Sequence, residues 1–479
     1  MIDALDRLEG LLVDGGAAHA NGKLDVFDPT TGDQIAGIAT STTEDCLAAV
    51  EAASQAAGRW AATPPRERAE LLRRCYETMM AEQAEIAALL QLENGKPMAE
   101  ALGEVAYAAD FFRWFSEEAV RIRGEIRRSP MGDKHIMVLP EPVGVSVQIT
   151  PWNFPAAMPV RKIAPALAAG CTTVVKPAPA TPLTAYYIAD LMARCGTPQG
   201  VINLVIPEPP NEATAAMLAD RAVRKVSFTG SIAVGKHLLR LAADRVLRTS
   251  MELGGNAPFV VLADAEVDVA VEAAIAAKMR NTGATCVAPN RLYVHEQVAD
   301  DFTEALSARM AGLTIGYDRR PDAQVGPLIS TRERAKVAGL VTTAVSGGAK
   351  VVTGGRAPDC SGYFYEPTVL ADVEPDAPIL TQEIFGPVAP LVRFSDEASV
   401  VEMANSTNAG LIAYVISGDL GHGLAVGQRL EAGLVALNRG IISDASAPFG
   451  GVKESGIGRE GGFEGIEEYL ERKYVASNW

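Results

Sequence analysis

The sequence predicts an α/β protein built from two parallel sheets, each with helices on both faces, and a small β arm. Three observations lead there. Short apolar runs alternate with helix-like stretches from Val143 to about Leu437. The chain has 479 residues, well beyond one domain of roughly 150. With 48% hydrophobic and 21% charged residues, it is too apolar to be disordered and ordinary for a packed globular protein.

After a short strand-like start, the first third reads as long helices. Pro64-Pro65 opens one whose apolar positions Leu71, Leu72, Cys75 and Met79 recur at helical spacing, and Asn94-Gly95-Lys96-Pro97 interrupts it. A second runs from about Met98 through Phe111, Phe112, Trp114 and Phe115 to Gly124, its aromatic cluster read as core. Glu125–Leu139 alternates around Ser129-Pro130-Met131-Gly132-Asp133 and reads as a β-hairpin.

From Val143 the pattern changes. Strands are predicted at Gly144–Ile149, Thr172–Val175, Val201–Val205, Val226–Phe228 and Val246–Met251. Between them lie helices at Met158–Ala169, Leu183–Arg194, Ala213–Asp220 and Val234–Ala243. Such alternation implies a parallel sheet, whose ligands sit outside the carboxyl ends of the strands. The places to search are therefore Thr150–Pro155, Lys176–Thr181, Thr229–Ser231 and Glu252–Gly255. A second alternating region starts at Pro258–Leu262, with strands at Leu292–Val294 and Val388–Phe394 and helices at Val298–Ala311 and Thr331–Ala344. Tyr469–Val475 is again strand-like and could join the hairpin in an arm on which subunits associate.

Charge excludes some functions. The net charge of −16 disfavours nonspecific binding to nucleic acid or an anionic membrane. No apolar run approaches the roughly 20 residues of a membrane helix. Asp3, Asp6 and Glu9 give the N-terminus the wrong charge for a signal or transit peptide. The six cysteines are scattered, without C-x-x-C, and the five histidines form no metal-ligand spacing, so no metal is expected. A reducing cytoplasm is the expected setting.

Gly456-Ile457-Gly458-Arg459-Glu460-Gly461 matches a dinucleotide fingerprint literally but fails in context, because no apolar strand leads into it. In Asn281–Cys286 the cysteine follows a predicted helix, Ala270–Arg280, and reads either as a nucleophile or as a small buried residue. Glu252, at a strand end, is either a general base or a solvated carboxylate.

Taken together, these segments resemble a family. Thr150-Pro151-Trp152-Asn153-Phe154-Pro155, Lys176-Pro177-Ala178, Ser227–Ser231, Met251-Glu252-Leu253-Gly254-Gly255, Asn281–Cys286, Glu383-Ile384-Phe385-Gly386-Pro387 and Pro448-Phe449-Gly450-Gly451 follow one another as in the NAD(P)-dependent aldehyde dehydrogenases, over almost the whole chain. The resemblance implies two Rossmann-like parallel-sheet domains and a small β oligomerisation arm. Residues 1–123, 142–253 and 436–463 would bind cofactor, 254–435 would form the catalytic domain, and 124–141 with 464–479 the arm of a homodimer or homotetramer.

It also implies roles. Cys286 would add to the aldehyde as a thiolate, Asn153 and the Cys286 N–H would hold the oxyanion, and Glu252 would activate water. Lys162 would assist electrostatically. For the cofactor, Lys176 would reach the adenine ribose, beside Ala178 and Pro179. Gly230 and Ser231 would hold the pyrophosphate, Glu383 the nicotinamide ribose, and Phe385 the ring. Thr150, Pro151, Trp152 and Leu253 would complete the cofactor site.

Departures from the family pattern matter. Pro179 stands where many NAD-preferring members have a ribose-clamping Glu, which leaves room for a 2′-phosphate beside Lys176, so NADP and NAD are both open. Ala284 and Met279 replace the usual Gln and Phe before the nucleophile, which reshapes the pocket floor. Ala288 stands where some relatives carry a second, redox-active Cys, so that regulation is expected to be absent. Within the superfamily the chain is most similar to succinate-semialdehyde dehydrogenases. Arg161, Arg280 and Ser443 match the residues that clamp the substrate's distal carboxylate there, and Arg offers it bidentate geometry. The alternative is that both arginines pair with surface carboxylates. Arg439, where relatives often have Glu, leaves the substrate's chain length open. Other weighed readings are oxidation of an aliphatic or aromatic aldehyde, acyl transfer to CoA, a catalytically silent scaffold and a thiol hydrolase. Glu252 speaks against transfer to CoA, the intact Cys286, Glu252 and Asn153 set against a silent scaffold, and the lack of a partnering His against a hydrolase.

Overall fold

The computed structural model describes residues 22–479, so Asp3, Asp6 and Glu9 lie outside the described residues. Its architecture is α/β, with two large sheets and smaller ones. The first large sheet has six strands in the order Gly456–Ile457, Arg248–Leu253, Val223–Gly230, Val145–Ile149, Thr172–Lys176, Ile202–Leu204. All pair in parallel except Gly456–Ile457, which runs antiparallel to Arg248–Leu253. From Val145–Ile149 the chain moves outward on one side, then returns to lay Val223–Gly230 on the other. This reversal opens a crevice beyond Ile149 and Gly230, where α/β sheets bind ligands.

The second sheet has seven strands: Lys350–Thr353, Thr368–Ala371, Val388–Phe394, Pro289–His295, Ala257–Val261, Ile412–Ile416 and Leu434–Leu437. Only its edge strand Lys350–Thr353 is antiparallel. Ala257–Val261 and Ile412–Ile416 are buried at every position, as expected where helices cover both faces. A third sheet joins Leu470–Ser477 to His135–Pro142 and Glu125–Arg128, so the hairpin and the C-terminal strand form one antiparallel unit.

Helix ends are closed by specific side chains. Ala157–Ala169 is buried throughout; Glu104 accepts from Ala156 N–H (2.8 Å) and Ala157 N–H (3.2 Å), and Gly170 ends it at φ 97°. Glu93 likewise accepts from Leu183 and Thr184 N–H at 2.7 and 2.9 Å. Thr43–Ala62, an alanine-rich helix that apolar periodicity does not single out, starts with a Thr42–Asp45 capping box.

Two differences from the sequence reading have physical causes. The helix opened by Pro65 stops at Ala81 and a new one runs Gln83–Asn94. Between them Glu82 turns its carboxylate to Arg194 (2.7 Å) and the Tyr187 hydroxyl (2.9 Å). The helix from Met98 ends at Glu118 rather than Gly124, because the arm strand begins at Glu125. Among the described residues no helix is long and apolar enough to cross a membrane.

Candidate functional site

The crevice between the sheets is a cavity of about 220 Å³. Of the residues singled out in the sequence, Cys286, Glu252, Asn153, Pro151, Trp152, Gly230, Ser231, Leu253, Glu383, Phe385, Arg161, Arg280 and Ser443 line it. Thr150, Lys162, Lys176, Ala178 and Pro179 do not. Lys176 ends its strand half-buried, and Pro179 is exposed.

Cys286 reaches the cavity on a strained loop. After the helix Val267–Met279 the backbone takes positive φ at Asn281 (49°), Thr282 (56°) and Gly283 (77°). Two of these are non-glycine, a conformation that needs outside support. The Glu100 carboxylate accepts from Asn281 N–H (2.8 Å). The Asn281 side-chain amide donates to the Asn153 carbonyl (2.8 Å) and the Ala284 carbonyl (3.2 Å). The Thr282 hydroxyl donates to the Gly326 carbonyl and accepts from its N–H (3.1 and 2.9 Å). At Gly283 a Cβ would lie 2.2 Å from the Gly386 carbonyl oxygen, so nothing larger fits.

The Asn153 side-chain NH₂ donates one hydrogen to the Ala284 carbonyl (3.1 Å), which leaves its second N–H for a ligand. Glu252 ends the strand Arg248–Leu253, is 5% exposed, and neither carboxyl oxygen has a partner among the described residues. Burial raises its pKa well above the carboxylate range and the nearby Glu460 adds to this, against Arg161, Lys162 and Arg459. Burial also pushes the Cys286 thiol up to about 12, against the pull of Arg161. Burial thus works against the charged form of both groups, and a ligand that alters the field shifts that balance.

Glu460 is the residue that sequence reasoning missed. It sits in the Gly456–Gly461 stretch, which folds over the strand that carries Glu252: Gly456 pairs with Glu252 and Ile457 with Met251. At Gly456, φ is 156° and a Cβ would meet the Met251 carbonyl oxygen at 2.1 Å, so the glycines serve close packing and hold no phosphate. The buried Glu460 carboxylate bridges Lys162 (2.5 Å) and Arg161 (2.7 Å), which together hold its pKa low against burial. Lys162 also donates to the Ser227 hydroxyl (3.1 Å), so its ammonium faces this buried network rather than the cavity. Arg161 is partnered by a buried carboxylate, not the surface one considered above. Its Nη2 has no hydrogen-bond partner among the described residues, and its guanidinium lies 3.9 Å from the Phe449 ring centroid at the cavity wall.

Arg280 donates to the Ser443 hydroxyl (2.7 Å) and stacks near Phe154 (5.0 Å) and Tyr107 (5.9 Å). Tyr107, also a lining residue, lies on the same helix one turn before the Phe111–Phe115 aromatics that the sequence reading assigned to core. Arg439 lies exposed, donates to the Ile441 carbonyl and does not line the cavity.

The opposite end suits a dinucleotide. The helix Ile232–Ala243 begins at the cavity, capped by Ser231, so its amide dipoles point at an anion. The Thr229 hydroxyl is buried there without a partner among the described residues. A Cβ at Gly254 would stand 3.0 Å from Glu383 Oε2, which leaves the backbone bare for a close ligand. Trp152 and Phe385 meet edge-to-face at 5.4 Å and form an aromatic corner of the cavity.

Comparison with known proteins agrees with this geometry. The family model described as aldehyde dehydrogenase family matches residues 17–475. The chain belongs to the aldehyde dehydrogenase family. It is 53% identical, over 92% of its length and 98% of the relative's, to a succinate-semialdehyde dehydrogenase of Paenarthrobacter nicotinovorans. A glutarate-semialdehyde dehydrogenase of Pseudomonas aeruginosa is 46% identical over 97% of this chain and 96% of its own. The crystal structure of an Escherichia coli NADP-dependent enzyme superposes with a TM-score of 0.97 at 44% identity, covering 100% of this chain and 99% of that one. As a member of this family the chain is an NAD(P)-dependent oxidoreductase acting on aldehydes, with the α/β, two-domain Rossmann-like fold expected from its motifs.

Proposed function

We propose that this enzyme oxidises a short carboxylated aldehyde, succinate semialdehyde or its one-carbon-longer homologue, to the dicarboxylate. The observation that carries this is one cavity holding a Cys–Glu pair on one side and a Ser443-braced Arg280 on the other, with Arg161 between aromatic walls. Relatives named for succinate and glutarate semialdehyde support the substrate class.

Cys286 adds to the aldehyde carbon as its thiolate, its proton passing to solvent. The new oxyanion is met by the free Asn153 side-chain N–H and the Cys286 backbone N–H. A nicotinamide held by Glu383, Phe385 and Trp152 would supply the acceptor for the hydride on that carbon. The thioester left on Cys286 is opened by water that has lost a proton to Glu252. Glu252 suits this step because its raised pKa makes its ionised form a stronger base than an ordinary carboxylate. Arg280 and Ser443 fix the distal carboxylate, and Arg161 supplies a second positive charge. Glu460 offsets part of the positive charge of Arg161 and Lys162 and itself raises the Glu252 pKa, which limits how far the two cations lower its basicity.

Gly230, Ser231 and the following helix hold the pyrophosphate, Glu383 the nicotinamide ribose, and Phe385 with Trp152 the ring; Thr150, Pro151 and Leu253 complete that wall. Lys176 with Ala178 and Pro179 receives the adenosine end, where the missing carboxylate admits NADP as well as NAD. In this reading residues 22–123, 142–253 and 436–463 bind cofactor, 254–435 supply the nucleophile, and the three-stranded sheet pairs subunits into a cytoplasmic dimer or tetramer. A panel of carboxylated, neutral aliphatic and aromatic aldehydes, each with NAD and NADP, tests the assignment. Higher kcat/KM for the carboxylated members supports it; preference for neutral ones overturns it.

A further inference from the structure

Away from the cavity, two cysteines that the reaction does not use come together. Cys75 lies on the helix Pro65–Ala81 with its side chain wholly buried. Cys195 caps the end of the helix Leu183–Arg194 and is half-buried. The Cys195 sulfur lies against the turn of the helix that carries Cys75, close enough for the two thiols to shift each other's ionisation. Residues on either side of Cys75 hold Cys195 in place: the Arg74 Nε donates to its backbone carbonyl (3.1 Å), and the Thr78 hydroxyl lies 3.4 Å from its sulfur. Gly196 follows at φ 95°, so Cys195 stands at a helix end rather than within one, where its backbone has room to adjust.

We propose that Cys75 and Cys195 form an oxidant-reactive dithiol that closes to a disulfide when the protein meets a hydroperoxide. Cys195 attacks as its thiolate, the peroxide O–O bond breaks, and Cys195 becomes a sulfenic acid while the departing oxygen takes a proton from solvent and leaves as water, or as the alcohol of an organic hydroperoxide. The Cys75 sulfur then attacks the Cys195 sulfur; the S–S bond forms, the S–O bond breaks, and a second water leaves with the Cys75 proton. Two thiols lose two electrons and the peroxide gains them.

The surroundings suit that order. The Cys75 thiol beside it lowers the Cys195 pKa to about 6 against the effect of burial, with help from Thr78, Arg194 and Arg74, which favours Cys195 as the attacking thiolate.

The test is non-reducing peptide mapping of the whole enzyme after treatment with hydrogen peroxide. A Cys75–Cys195 linked peptide is expected, released by dithiothreitol and absent in Cys195→Ser, whose sulfur is not in the buried core and whose dehydrogenase activity should match the wild type before oxidation. Cys195 recovered as sulfinic or sulfonic acid with Cys75 free, or unmodified while the exposed Cys360 is oxidised, overturns the proposal.

Discussion

Replacing Arg280 by Met isolates the contribution of the distal carboxylate. Met keeps an unbranched apolar stem between Phe154 and Tyr107, so the aromatic walls stay packed, but it removes the charge and every N–H. Ser443 loses the donor at 2.7 Å yet borders the cavity, where water replaces it. A hydrogen bond to a charged group is worth about 1.5–3 kcal/mol, and a bidentate Arg–carboxylate pair makes two. Arg161 remains, but its guanidinium is already shared with Glu460 at 2.7 Å, so it compensates only partly. A net loss of about 2–4 kcal/mol follows, or about 30- to 1,000-fold in kcat/KM for succinate semialdehyde. The loss should fall mostly in KM, with butanal oxidation nearly unchanged. Steady-state NADPH absorbance with both substrates measures it. Equal losses for the two aldehydes, or none for the carboxylated one, would refute the clamp. Arg161 is a poorer probe, because its removal leaves the buried Glu460 with Lys162 alone.

Three further outcomes are expected. Burial raises the Glu383 pKa to about 7, against Gly255 N–H, Lys336 and Lys278, so its ribose-accepting carboxylate forms only above that pH. Cofactor affinity measured by fluorescence titration should rise from pH 6 to 8, and Glu383→Gln should flatten the profile. Glu93 is likewise raised to about 7 by burial in the folded state. Because the raised value lies above that of the unfolded chain, its contribution to stability is complete below about pH 4.5 and is lost as pH rises through 7, about 3 kcal/mol in all. Denaturant unfolding should show Glu93→Gln losing less stability than the wild type between pH 5 and pH 8. Finally, Gly283→Ala forces a Cβ to 2.2 Å from the Gly386 carbonyl, so the Cys286 loop must shift. A displacement of that kind is worth about 100-fold in rate; kcat should fall steeply while far-UV circular dichroism stays the same.

The alternation of strands and helices was legible because parallel strands buried on both faces read as continuous apolar runs, as at Val145–Ile149 and Ala257–Val261. Cys286 and Glu252 are ambiguous one at a time and become a site only through the order of the surrounding motifs. Glu460 was not legible. Its partner Lys162 is 298 residues away, and no local pattern marks a carboxylate that packing alone brings beneath the strand that carries Glu252. Tyr107 was hidden for a related reason: at helical spacing an aromatic on the cavity wall looks like its neighbours in the core. The break at Glu82 escaped because glutamate favours helix, and only the distant Arg194 and Tyr187 draw it out of line.

The central claim is that Cys286 carries the acyl group and that Glu252 is needed to release it. Intact-protein mass spectrometry of Glu252→Gln, mixed with succinate semialdehyde and NADP, tests it directly. The account predicts a succinyl group that maps to Cys286 and a single burst of NADPH with no further turnover. Steady NADPH formation without an adduct, or an adduct on any other residue, would contradict it.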